Sequence, residues 1–300
     1  MKTTFIIDGG LGRQITAIPA LEKYVKNNPD TIIISHFWTP IVWGNPLLTD
    51  KIFDVGSKGL FNMVKDSKVI KPEPYYNTNY VNGKISLADA FNEEINGDNE
   101  KMPPPKLHLS RLELEIGRMK TRNKDGKVVC FQPFGSGATI YPHQVTDGSV
   151  RSFYKEHTLH IIERLKQANI NIALFDDRDI PFIKQEDVLS LPKGTIRDWA
   201  AIIANCDYFF GVDSSGQHIA RAFNIPGTVV VGGTNATNVS YPNHFTIIEL
   251  DNTVDKAYMC MRLCDFDYRI SEIQNGHLMD FSKKDIDDTC DLIISEIEKL

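Results

Sequence analysis

Three hundred residues exceed one typical domain and fall short of three, and 42% apolar residues suffice for a buried core. Charged residues make up 24% and the net charge is −6, so no overall basic field draws the chain to nucleic acid or anionic lipid. Five scattered cysteines are not a disulfide framework, no charged-then-apolar leader precedes Thr3, and no apolar run approaches the ~20 residues that span a bilayer; a cytoplasmic chain with reduced thiols and no stable membrane insertion is expected.

Phe5-Ile6-Ile7 reads as a short buried strand, followed by a turn at Gly9, Gly10 and Gly12. A helix is expected over 14–26, with Ile15, Ile18, Leu21 and Tyr24 inward and Pro19 near its start or in its first turn. Residues 31–35 (TIIIS) are apolar enough for a strand buried on both faces, as in a parallel sheet. Trp38 and Trp43 follow in Pro-interrupted loop sequence, as core anchors or as a stacking platform for an acceptor ring. Residues 92–105 read as an exposed polar excursion and 111–119 as a helix. The polar break at 121–126 marks a boundary between domains 1–124 and 125–300.

The second half alternates regularly. Strands are expected at 128–131, 171–175, 208–212 and 228–231, and helices at 152–167, 196–204 and after 215, with a closing helix over 283–299. This is the pattern of a doubly wound α/β domain. Gly135-Ser136-Gly137 follows one strand, and Asp213-Ser214-Ser215-Gly216-Gln217 follows another and opens a helix. A helix start has backbone N–H groups without internal partners and a positive dipole end, so these turns suit a phosphate or diphosphate. Asp176 and Asp177 end a strand where a ribose would sit, or form a solvated acidic loop. His143 and Lys155 are further candidate phosphate contacts, and His218 is a packed or a catalytic histidine. Cys260 and Cys264, four apart, read as core thiols on one helix face rather than metal ligands.

The run 199–207, the block Val212-Asp213-Ser214-Ser215-Gly216-Gln217-His218-Ile219-Ala220, and the later Asn224-Ile225-Pro226 and Gly232-Gly233-Thr234-Asn235 resemble the C-terminal domain of the family 9 glycosyltransferases. The segment from Gly12 to Leu21, with Pro19-Ala20-Leu21, is similar to their N-terminal signature. The resemblance implies a GT-B architecture, two Rossmann-like domains facing a cleft, with a nucleotide-diphospho-sugar on the second and an acceptor on the first. It implies no metal and no cofactor. Asp213 and Arg13 fall within the matching segments and, with Asp8, are the candidate catalytic residues, Asp213 as a donor-sugar contact or else a helix cap. The family carries an acid directly after the Gly where this chain has Arg13, and an arginine cannot accept the acceptor's proton. Arg13 is then a clamp for phosphate or for an acceptor anion, and Asp8 is the nearest acid, with Asp89 and Glu93 as other candidate bases.

Two acceptors fit this frame. One is a saccharide, as in heptosyl transfer; such enzymes visit membranes, but no basic, aromatic patch stands out in the acidic sequence. The other is a hydroxymethylated DNA base, as in phage enzymes. The Lys-, Asn- and Ile-rich composition suits a phage gene, and basic residues at 111, 118, 120, 122, 124 and 127 would serve DNA or form a solvated linker. A nucleotide-sugar epimerase or hydrolase, or a non-catalytic nucleotide-sugar-binding protein, are the alternatives.

Overall fold

The computed structural model describes residues 2–36, 38–122, 125–189, 191, 194–250 and 276–300. Cys260 and Cys264 lie outside the described residues. The chain divides into two compact units, Met1–Arg111 and Leu112–Leu300.

The first unit is built on β1 (Thr3–Ile7), α1 (Leu11–Asn27), β2 (Thr31–Ser35), β3 (Ile52–Asp54), α2 (Leu60–Val64), β4 (Lys68–Ile70), α3 (Thr78–Val81) and α4 (Leu87–Asn96). Its four strands are parallel, in the order β3-β2-β1-β4. α1 starts three residues earlier than the periodicity predicts, with Gly10 as its N-cap. Pro19 therefore lies in the helix interior, not in its first turn. Ile15, Ile18 and Leu21 are buried around it, and that burial offsets the missing N–H. Gln14 ties the helix to the sheet by donating to Ile7 O (2.7 Å) and accepting from Ser35 Oγ (2.9 Å).

The expected excursion from residue 92 begins inside α4, which buries Leu87, Phe91 and Ile95 against α1. Asn92 is fully buried, and its amide donates to Asp98 O (3.0 Å) and Glu100 O (3.0 Å), folding the following polar chain onto the helix.

The second unit carries α5 (Arg111–Thr121), β5 (Val128–Gln132), the hairpin β6 (Thr139–Ile140) and β7 (Val145–Thr146), α6 (Lys155–Gln167), β8 (Asn171–Leu174), α7 (Ile196–Ile203), β9 (Tyr208–Val212), α8 (Ser215–Ala222), β10 (Gly227–Val230), α9 (Ala236–Val239), β11 (Phe245–Ile248) and α10 (Lys283–Glu298). Five parallel strands run β11-β10-β9-β5-β8. β5 and β9 are wholly buried, as near-continuous apolar strands covered on both faces should be. Phe131 and Phe210 stack in the core at 5.2 Å, with Phe153 beside them. Each such ring contributes roughly 2–3 kcal/mol by burial. Cys130, Cys206 and Cys290 are buried free thiols. Among the described residues no helix is long and apolar enough to cross a membrane.

Candidate active site

In the second unit the chain runs from β5 to β8 on one side, then returns to place β9 on the other. Ligands of such sheets bind at the carboxyl ends of strands where the order reverses, here between β5 and β9. The turn at Gly135, Ser136 and Gly137 leaves β5, and Asp213 to Gln217 leaves β9, so two of the three turns singled out in the sequence flank one reversal point. Ser136 and Gly137 are exposed, and Ser214 and Ser215 are half-buried.

The start of α8 is partly occupied from within. Gln132, the last residue of β5, accepts from the Gly216 amide at 2.9 Å. A Cβ on Gly216 would lie 2.5 Å from that same Gln132 oxygen and 2.8 Å from Phe209, so only glycine fits. Ser214, the N-cap, makes no side-chain capping bond.

Asp213 is 3% exposed. It accepts from Gln217 Nε2 (2.7 Å) and Thr234 Oγ1 (2.8 Å), and Arg151 Nη1 stands 4.0 Å away. Ser240 Oγ in turn donates to Gln217 Oε1 at 2.6 Å. A carboxylate engaged on both oxygens is a brace rather than a proton acceptor. Gln217, fully buried, belongs to the same brace and does not point at a ligand.

Arg151 itself is held by Ser149 Oγ (3.2 Å), and Ser149 rests on buried Asp147 through two bonds of 2.8 and 2.5 Å. Ser152, which also donates to Asp147, accepts from the Gly135 amide at 2.9 Å. The segment 147–152 thus fixes the turn after β5 and presents a guanidinium beside Asp213.

Asp176 faces that turn, but Arg178 claims both of its oxygens (2.8 and 2.6 Å) and donates onward to Ala138 O (2.8 Å). Asp177 is exposed. His218 is buried against Tyr241 OH (2.9 Å), and burial drives its pKa down to about 3, so it is neutral. His143 is exposed, and Lys155 donates to Pro142 O at 3.0 Å.

In the first unit the order reverses between β1 and β4. Asp8 follows β1 and Lys71 follows β4, and Lys71 Nζ meets Asp8 Oδ2 at 2.7 Å. Arg13 Nη2 stands 3.4 Å from Asp8 Oδ1, and its guanidinium also donates to Glu73 Oε1 (3.0 Å) and Pro72 O (2.9 Å). Tyr75 and Phe91 lie 5.1 and 5.6 Å from the guanidinium carbon. Gly9 has φ +84°, and a Cβ there would meet Arg13 Cδ at 3.0 Å, so this turn needs glycine on both counts. Gly10 is the exposed cap and Gly12 lies inside α1.

Burial works to raise the Asp8 pKa, but the bond from Lys71 and the charge of Arg13 outweigh it and hold the carboxyl below its usual range. Asp8 Oδ1 and Arg13 Nε are buried without a hydrogen-bond partner. The other candidate bases are tied to the fold: Asp89 accepts from the Met102 amide (2.7 Å), and Glu93 from Asn77 (2.7 Å) and Asn79 (3.2 Å). Trp43 is 48% exposed and Trp38 half-buried. Lys71, Glu73, Gln132 and Arg151 were not legible as site residues. Each sits at a strand end or in a loop whose place depends on strand order.

No protein-family model and no curated protein matches the sequence. Solved structures do. A family 9 glycosyl transferase from Veillonella parvula DSM 2008 superposes over 98% of this chain and 97% of its own, with 13% identity and a TM-score of 0.66. The chain has the fold of the family 9 glycosyltransferases. The iron-containing dodecameric glycosyltransferase TibC from enterotoxigenic E. coli H10407 matches over 98% of this chain and 79% of its own (12% identity, TM-score 0.59), and TibC is also solved in complex with ADP-D-beta-D-heptose. E. coli ADP-heptose lps heptosyltransferase II matches over 93% and 99% (12% identity, TM-score 0.53). TibC is described as iron-containing; among the described residues of this chain no group of three His, Cys, Asp or Glu side chains is assembled to hold a metal.

Proposed function

We propose that the protein is a glycosyltransferase that moves a sugar from a nucleoside-diphosphate sugar to a saccharide hydroxyl. What supports the reading is the placement of two Gly/Ser turns at one reversal point of the second sheet, in a fold shared over 98% of the chain with a family 9 glycosyltransferase. The diphosphate is assigned to Ser136, Gly137 and the α8 start at Ser214 and Ser215, with Arg151 as the neutralising cation. Gly216, Gln217 and Asp213 hold that cradle in shape. Asp177 is the acid left for a ribose, since Asp176 is spent on Arg178.

Asp8 is assigned as the base. The acceptor oxygen attacks the anomeric carbon, the bond from that carbon to the diphosphate oxygen breaks, the electron pair leaves with the diphosphate, and Asp8 takes the hydroxyl proton. Lys71 is 52% exposed and can swing away, which raises the basicity of Asp8 when the acceptor arrives. Arg13, buried and bound to Glu73, keeps Asp8 in place. The transfer runs without a metal, because α8 and Arg151 offset the leaving charge.

A saccharide is favoured over DNA because four of the six basic residues expected to serve DNA stand beside acids, while Arg111 is exposed with no ion pair among the described residues. Arg118 pairs with Glu115 (2.5 Å), Lys120 with Asp198 (3.4 Å), and Arg122 and Lys127 with Asp207 (2.8 and 3.8 Å), while Lys124 lies outside the described residues.

The test is a thermal-shift screen of nucleoside diphosphates and their sugars, beginning with ADP-heptose, with which TibC is solved in complex. Assays of diphosphate release follow, with and without saccharide acceptors and with and without EDTA. Acceptor-dependent release that survives the chelator is the expected result. Release without acceptor marks a hydrolase, and binding without release a binding protein.

A further inference from the structure

The turn Gly232-Gly233-Thr234, which follows β10, is not assigned to the diphosphate, yet it touches both sides of the proposed cradle. On one side Thr234 Oγ1 donates to Asp213 Oδ2 at 2.8 Å. On the other the Gly233 amide donates to Val150 O at 3.0 Å. Gly232 leaves the space that this carbonyl fills, since a Cβ there would lie 2.2 Å from Val150 O.

Val150 is held in a strained conformation. Its φ is +52°, in the left-handed region that a β-branched residue rarely enters. Its amide donates to Asp147 O (2.9 Å), its carbonyl takes the Gly233 bond, and its side chain, 3% exposed, belongs to the core with Phe153, Val230 and Met279. Strain of this kind persists only where the surroundings over-determine it. What it fixes here is the direction of the next residue, Arg151, whose Nε donates to Ser149 Oγ at 3.2 Å.

Arg151 Nη1 stops 4.0 Å from Asp213 Oδ2, beyond hydrogen-bond range, although the two side chains are only 15% and 5% exposed. Unrestrained groups of opposite charge close to a bond of about 2.7–2.9 Å. Here each is restrained by others. Asp213 Oδ2 takes the Thr234 hydroxyl and Oδ1 takes Gln217 (2.7 Å), while the backbone that carries Arg151 is fixed at Val150. An arginine closed on a carboxylate, as Arg178 is on Asp176, has little charge left for an anion. A guanidinium kept short of its carboxylate retains its donors for one.

We propose that Thr234 and Val150 are positioning residues that hold Arg151 apart from Asp213 and so keep its guanidinium available to the diphosphate of the donor. The proposal rests on the assignment of Arg151 to that diphosphate, and it gives the turn after β10 control over a contact it does not itself make.

The experiment is a double-mutant cycle on the full chain, read by calorimetric titration with ADP, GDP, CDP, UDP and dTDP and with the matching nucleosides. Thr234→Val, close in shape but without the hydroxyl, should let Arg151 close on Asp213 and weaken diphosphate binding roughly tenfold, with nucleoside binding unchanged. Thr234→Ser, which keeps the hydroxyl, should restore it. In an Arg151→Met background Thr234→Val should have no further effect, because Thr234 acts through the guanidinium. Val150→Gly relaxes the strained backbone and frees the loop. It should also weaken diphosphate binding only while Arg151 is present, and it carries the test if Thr234→Val does not fold. Undiminished diphosphate binding in Thr234→Val, equal loss for nucleoside and diphosphate, or a loss that persists with Arg151→Met would overturn the positioning role alone. Parent-like diphosphate binding by Arg151→Met, or a parent that binds none of the five diphosphates, would overturn the donor assignment and the positioning role with it.

Discussion

Both sheets reverse their strand order beside their first strand, and each places a glycine turn at the reversal, yet they fill the position with opposite chemistry. The first unit gathers full charges: Asp8 pairs with Lys71 and Arg13, and Arg13 pairs with Glu73. The second offers backbone amides, hydroxyls and the Arg151 guanidinium, and two of its acids face inward, Asp213 onto Gln217 and Thr234 and Asp176 onto Arg178. The difference follows from what each must do under the proposed reaction. A proton acceptor has to be an ionised carboxylate whose pKa its neighbours can adjust. A diphosphate cradle has to present positive dipole and keep carboxylates off the phosphates, since a like charge at 4 Å costs about 4 kcal/mol near a protein surface.

The sharpest way to break this division is at Asp8. Asp8→Asn should lower turnover by about 10²–10⁴-fold and leave donor affinity unchanged, because the charge is removed from one reversal point only. Stopped-flow turnover and calorimetric titration of donor measure the two quantities separately. Unaltered turnover would return the base to another residue.

The complementary test places a charge where the second unit has none. Ser215→Asp sets a carboxylate against the diphosphate and should weaken donor binding by roughly 10²–10³-fold, by the same Coulomb estimate. Ser215 is half-buried at a helix start, where an acid is tolerated, so the melting temperature should hold. Normal donor binding in this variant would remove α8 from the site.

The two reversal points were not equally readable in the sequence. The second was visible because its turns are local: β9, Asp213 to Gly216 and α8 follow one another within fifteen residues, and the switch from an apolar strand to small residues to helical spacing is unmistakable. The first was half visible. Asp8 and Gly9 follow β1 directly, but Lys71 and Glu73 follow a three-residue edge strand sixty residues on, too short to show a period. α4 was missed for a different reason. Its Leu87, Phe91, Ile95 spacing is helical and Ser86 caps it, but the polar Asn92, Glu93 and Glu94 read as the start of a loop. Pro19 misled because prolines favour first turns, while here packing of α1 on the sheet overrides that preference. Arg151 carries no local signal. It enters the site through the Asp147–Ser149–Ser152 bonds, which no spacing reveals.

Arg151 therefore gives the next test of the comparison, because its guanidinium stands 4.0 Å from Asp213 without the bidentate pairing that holds Arg178 on Asp176. Arg151→Met keeps the stem and removes the cation. The loss of a charge-assisted hydrogen bond to phosphate corresponds to about 1.5–3 kcal/mol, or roughly 10–100-fold in donor affinity. Nucleoside and nucleoside diphosphate should be compared by calorimetry: a cation on the diphosphate predicts that the variant affects only the latter. Equal loss for both would make Arg151 a support of the fold.

His218 supplies the smallest effect and the finest distinction between a charged and a neutral reversal point. It sits in α8 behind the proposed cradle and would add a cation there if it were protonated. Its burial against Tyr241 lowers its pKa to about 3, so the folded protein keeps it neutral while the unfolded chain binds a proton below about 6.5. Between those two values the unfolded state binds more protons. Stability from this group is therefore complete above about pH 6.5 and falls as pH drops, by about 1.4 kcal/mol per unit until the folded pKa is reached. His218→Gln removes the titration and should flatten the acid limb of a denaturant-melt series between pH 6.5 and 4. At neutral pH it should cost about 1 kcal/mol, the worth of the bond to Tyr241. Donor affinity at neutral pH should be unchanged, because the cradle never held that charge. An acid limb as steep as the parent's, or a loss of donor affinity in the variant, would show that the histidine is charged in the folded state and that the second reversal point relies on more than amides and Arg151.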